Sequence, residues 1–249
     1  MKKLNKGFTL AEVLITLTII GIVAALVMPA LMSNTDKSAW ASGLATTVGN
    51  LNRGFAQMLA VEGTDTLDST TLWADYVGSK TIRTGDNNIR HELNKYFKIG
   101  DMINNVPPNV KVMNLNNTAS DALNNTVRFV LANNTTMNII LRPVTYGTNG
   151  SDCTKVEENG GVLCERVADI YIDANGDKKP NVIGKDIYLF YLSNQGQLFP
   201  YGGKDTNIYD TSVKLYSDEN GCSGKNSGEI KDALTCAGRV VADGYRINY

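Results

Sequence analysis

Lys6-Gly7-Phe8-Thr9-Leu10-Ala11-Glu12-Val13-Leu14-Ile15 joins a basic leader to a long apolar run and sets one carboxylate inside that run. The leader, residues 1–7, carries Lys2, Lys3 and Lys6, and residues 8–28 contain no charge except Glu12. At ~1.5 Å per residue a helix over 8–28 is roughly 31 Å long, a match to the ~30 Å hydrocarbon core of a bilayer. The lysines then stay on the cytoplasmic side.

Glu12 is the anomaly, because a carboxylate in a spanning helix costs about 2.5 kcal/mol or more at the centre and less near an end. No Lys, Arg or His lies between Phe8 and Ser33, so its partner is expected outside this helix. Cleavage after Gly7 would supply one. Phe8 would become a free, positively charged amine about one helical turn, roughly 6 Å, from Glu12. Packing one subunit a turn out of register would place the amine of one chain on Glu12 of the next, an ion pair that holds a polymer.

These residues resemble the class III signal of type IV pilins and type II secretion pseudopilins: a basic leader, Gly7 before the scissile bond, Phe8 after it, Glu12 as the fifth mature residue, and Gly21 and Pro29 further on. The resemblance implies cutting at Gly7-Phe8 by a membrane aspartyl peptidase, methylation of the new Phe8 amine, and a filament in which the stretch from Gly21 to Pro29 can lose helicity. Proline there removes a helix hydrogen bond and crowds the preceding turn. Two plainer readings compete. A secretory signal peptide could end at Ala39-Trp40-Ala41, but its apolar core is nearer 7–15 residues and gives Glu12 and Pro29 no role. A simple single-span anchor leaves the Gly-Phe-Thr-Leu-x-Glu string to chance.

Beyond the span, Trp40, Leu44, Val48, Leu51, Phe55, Met58 and Leu59 recur at spacings of three and four, so an amphipathic continuation is expected to about Glu62, ended by Gly63. Short helices are expected at 72–77 and 89–97. From Thr126 the period becomes two: Val127, Phe129 and Leu131, a turn at Asn133-Asn134, then Met137, Ile139 and Leu141. Strands follow at 166–173 and 186–192, with a turn at 194–196 into 197–199. The expected fold is α+β and pilin-like, a long N-terminal helix packed on an antiparallel sheet. Its divisions are a leader (1–7), a membrane and filament-core helix (8–32), an amphipathic continuation (33–62) and a periplasmic or extracellular head (63–249).

Four cysteines, Cys153, Cys164, Cys222 and Cys236, fall beyond the span on the oxidising side, where disulfides are the default. Three pairings are conceivable; local closure favours Cys153 with Cys164 and Cys222 with Cys236, the second resembling the disulfide-closed C-terminal region of many pilins. Zinc would want closer knuckle spacing. Asp173, Asn175 and Asp177 form the D-x-N-x-D start of calcium loops. Lys178 and Gly184 occupy the positions where an EF-hand needs Gly and an acid, so that motif is rejected. A noncanonical calcium loop of Asp173, Asn175, Asp177 and Asp186 is one expectation, since several pseudopilins stabilise a head loop with calcium. A metal-free Asn-Gly turn, with Asp186 hydrogen-bonding the loop backbone, is the other. The strings around this loop and at residues 244–249 also resemble heads of bacterial pilin-like proteins of unassigned role.

Catalysis has little to work with. The single histidine, His91, stands between Arg90 and Glu92 on a polar helix, and no nucleophile-elbow, zincin or phosphate-loop pattern occurs. Losing three of the 24 basic residues with the leader leaves 21 against 25 acidic ones, −4, which gives no bulk-charge case for nucleic-acid binding. The expected function is a non-enzymatic, prepilin-like subunit of a type IV pilus or type II secretion pseudopilus, a minor subunit judging by its large head. Its partners would be other pilins, the peptidase and an inner-membrane assembly platform. The alternative is a binding module at a filament tip, serving adhesion, secreted substrates or DNA uptake.

Overall fold

The computed structural model describes residues 8–73, 87–103, 110–124, 126–141, 166–204, 215–217, 221–222 and 230–249. Helix α1 runs over Leu10–Glu62. Gly63 ends it at φ 65°, a left-handed cap that lets the Thr64 N–H return to the Leu59 carbonyl at 3.1 Å. Helix α2 is Asn87–Tyr96, and strands β1 (Ile99–Ile103), β2 (Val127–Leu131), β3 (Thr136–Leu141), β4 (Arg166–Asp173), β5 (Ile187–Ser193) and β6 (Leu198–Pro200) follow. Two short helices, α3 (Ile230–Leu234) and α4 (Cys236–Ala242), come last. The six strands form one antiparallel meander in the order β1-β2-β3-β4-β5-β6. This is the α+β, pilin-like architecture expected from the sequence.

The chain divides into two compact units, Met1–Ala39 and Trp40–Tyr249. In the second, the stripe of apolar residues on α1 does what its spacing requires: Leu44, Val48, Leu51, Phe55 and Met58 are buried in one cluster with Met137, Ile139, Ile170 and Phe190 of the sheet. Phe55 anchors it. Its ring meets Phe97 edge-on at 5.0 Å and Trp73 at 6.3 Å, the offset geometry aromatic quadrupoles favour. Gly54 makes room for this, because a Cβ there would lie 2.0 Å from the Phe97 ring. Polar groups register the helix on the sheet edge: Asn52 Oδ1 accepts the Leu198 N–H at 2.9 Å, and the Thr47 and Thr135 hydroxyls lie 3.0 Å apart.

The other face of the sheet is covered as well. Tyr171, Ile187, Leu189 and Tyr191 pack there with Val112, Leu123, Ile183, Tyr201 and Ala233 in a second apolar cluster. Arg128, Thr136, Asn138 and Asp173 share that face by register and are buried as well. Three elements escaped the sequence reading. Strand β1, Ile-Gly-Asp-Met-Ile, has little strand character and exists by pairing with β2, with an irregularity between Ile99 and Asp101. The two C-terminal helices, α3 and α4, were not among the expected elements. Of the expected helix over 72–77, residues beyond 73 lie outside the described residues.

Candidate functional site

The N-terminal site starts with the first turn of α1. Phe8 is 90% exposed and precedes the helix. Thr9 and Glu12 then bond reciprocally: Glu12 Oε2 accepts the Thr9 N–H and hydroxyl, both at 2.8 Å, and Thr9 Oγ1 accepts the Glu12 N–H at 3.3 Å. This is a capping box, which satisfies helix-start donors that have no carbonyl partner. It revises the expectation that every partner of Glu12 lies outside its helix. Thr9 supplies two uncharged donors from within the first turn, and Thr at that position followed three residues later by Glu was the signal.

The segment Leu10–Met28 forms 19 residues of apolar helix, none of them buried inside the chain. At ~1.5 Å per residue it covers roughly 28 Å, close to one bilayer core. Nothing lies within 4 Å of the place where a Gly21 side chain would begin, so the chain's own packing does not require glycine there. Pro29 sits inside α1, whose helical backbone continues through it. Gly7 lies outside the described residues.

The acidic loop of the head connects β4 to β5. Asp173 is the last residue of β4, opposite Ile187, and its Oδ1 accepts the Asn175 N–H at 3.2 Å. Gly176 turns the chain at φ 69°, where a Cβ would stand 2.4 Å from the Asn134 carbonyl oxygen. Asp186 gathers the far end: Oδ2 accepts the Asn181 N–H at 2.8 Å and Oδ1 the Val182 N–H at 2.6 Å. Its own carbonyl accepts the Ala174 N–H at 2.8 Å, which closes the loop. Asp177 points elsewhere and pairs with Arg128 of β2.

These contacts are those the metal-free turn calls for. Asp186 braces backbone N–H groups, as the metal-free reading required, and Asp177 is held by a guanidinium. Among the described residues no three His, Cys, Asp or Glu side chains gather as metal ligands. The second expected bridge is present, Cys222–Cys236, with both residues buried. Cys153 and Cys164 lie outside the described residues. His91 is exposed.

Burial raises the Asp173 carboxyl well above the ordinary range, and the nearby Asp186 charge adds to the rise. Burial also pushes Asp186 up to about 6, against the opposing pull of the Val182 and Asn181 N–H groups. For an acid raised in the folded state, the stabilising contribution is complete below the unfolded pKa of about 3.8 and is lost as pH rises through about 6. For Asp186 that amounts to roughly 3 kcal/mol at most. The expected result is a flatter pH dependence of melting between about pH 4 and 7 in Asp186→Asn than in the wild type, whose stability gains from this group on acidification. Parallel profiles would remove Asp186 from that role.

No solved structure matches the chain. Over residues 2–28 the chain matches the family model described as the prokaryotic N-terminal methylation motif. The chain thus carries, on an exposed apolar helix led by a Thr9–Glu12 capping box, the N-terminal methylation motif typical of type IV pilin and pseudopilin prepilins.

Proposed function

We propose that this protein is a structural subunit, cut between Gly7 and Phe8, N-methylated at Phe8, and assembled with other pilins into a type IV pilus or a type II secretion pseudopilus, where its large head makes it a minor subunit. One observation carries the reading: the methylation motif opens a helix of whose first 19 residues none is buried within the chain. Such a surface needs lipid before assembly and neighbouring subunits after it. The motif supports a non-enzymatic role, a membrane-anchored precursor and a filament as its destination.

In this reading the leader, residues 1–7, is removed by a prepilin peptidase. Residues 8–32 supply the membrane anchor and then the filament core, 33–62 the amphipathic continuation, and 63–249 the outward-facing head. Glu12 sets register by accepting the Phe8 amine of a neighbour, and Gly21 and Pro29 serve assembly. Shearing filaments from cells that express the tagged chain tests this. The chain is expected in the sheared fraction at low copy; confinement to the membrane with filaments present would contradict it.

A further inference from the structure

The turn that reads like a calcium loop is built around a cation of its own. Arg128 is the second residue of β2, its side chain only 2% exposed, and it pairs with Asp177 in the connection from β4 to β5. The register explains the reach. Arg128 lies opposite Asn138 of β3, and Thr136, two residues back on the same face, lies opposite Asp173 of β4. The guanidinium therefore runs over β3 towards the start of the acidic turn.

We propose that the Arg128 guanidinium is the built-in counter-ion of the Asp173–Asp186 loop, standing where a D-x-N-x-D sequence would otherwise recruit a divalent cation, so that the order of this loop does not depend on metal. Three carboxylates fall within this one connection, and Asp173 and Asp186 are 4% and 0% exposed. Carboxylates so placed repel, and a buried acidic site ordinarily needs a paired charge or a metal. The electrostatics have that sign: Asp186 and Asp177 both disfavour the charged form of Asp173, and Arg128 favours it.

Arg128 has no better reason to be there. Its Nη1 is buried without a hydrogen-bond partner, so the guanidinium does not complete a hydrogen-bond set, and its charge is what the turn uses. A buried arginine also costs several kcal/mol in desolvation unless nearby carboxylates offset it.

The test compares melting of the full chain in detergent with millimolar calcium and with chelator. Wild type is expected to melt at the same temperature in both. Arg128→Gln is expected to melt lower in chelator by roughly 5–15 °C, from the loss of a buried charge partner, and to regain part of that in calcium. Arg128→Lys, which keeps the charge, is expected to stay indifferent to calcium and decides the matter if the Gln variant does not fold. A calcium-dependent rise in wild type or in the Lys variant would overturn the proposal, as would an Arg128→Gln protein that folds and ignores calcium.

Discussion

Replacing Glu12 by Ala is expected to leave membrane insertion intact and to cut incorporation into sheared filaments about tenfold or more. Removing the carboxylate makes the span more apolar, so insertion has no reason to fail. In the proposed filament the variant loses a hydrogen-bonded charge pair with a neighbour's amine, worth about 1.5–3 kcal/mol, and each 1.4 kcal/mol is a factor of ten in an association constant. The capping box makes the experiment sharper. Glu12→Gln keeps an acceptor for the Thr9 N–H and hydroxyl, now at 2.8 Å from Glu12 Oε2, and removes only the charge. If the intersubunit pair is the reason for the acid, Gln fails in assembly as Ala does. Normal assembly of the Gln variant would mean that helix capping is the whole of Glu12's work.

The second large effect belongs to the head. Exchanging Cys222 and Cys236 together for Ala is expected to lower stability by about 3 kcal/mol, a figure set by the closure entropy of a loop of this length. The separation is 14 residues. For a domain of this size that is a fall in melting temperature of roughly 6–12 °C. The bridge pins the N-terminus of α4, and the contacts it protects are tight. Arg239 donates to the Cys222 carbonyl at 2.5 Å and stacks over Tyr249 at 5.1 Å, while a Cβ on Gly238 would lie 2.5 Å from the Gly202 backbone. The variant should therefore also lose protease resistance first near its C-terminus. An unchanged melting temperature would show that this packing holds without the bridge.

Much of the fold was legible because the head half of α1, β2 and β3 carry their apolar residues at the period their structure demands, and β4 and β5 are short apolar runs bounded by turns. The helix ends at Glu62, where Gly63 said it should. The failures have a common cause. Strand β1 and helices α3 and α4 are short and weakly patterned, and they are fixed by partners far away in sequence: β1 by β2, α4 by the disulfide and by Gly202. The same limit applied to the head loop. Asp186 as a brace for backbone N–H groups could be read from the Asn-Gly turn it closes. Arg128 could not, because an arginine between Val127 and Phe129 on a strand reads as a residue turned to water. Only the second apolar layer over that face makes it a buried cation.

The most direct measurement is the mass of the mature N-terminus, taken on protein recovered from cells that contain a prepilin peptidase. A chain that begins at Phe8 with one added methyl group is the expected result. An intact Met1, or a start near Ser42 after signal-peptide cleavage at Ala39-Trp40-Ala41, would contradict the account.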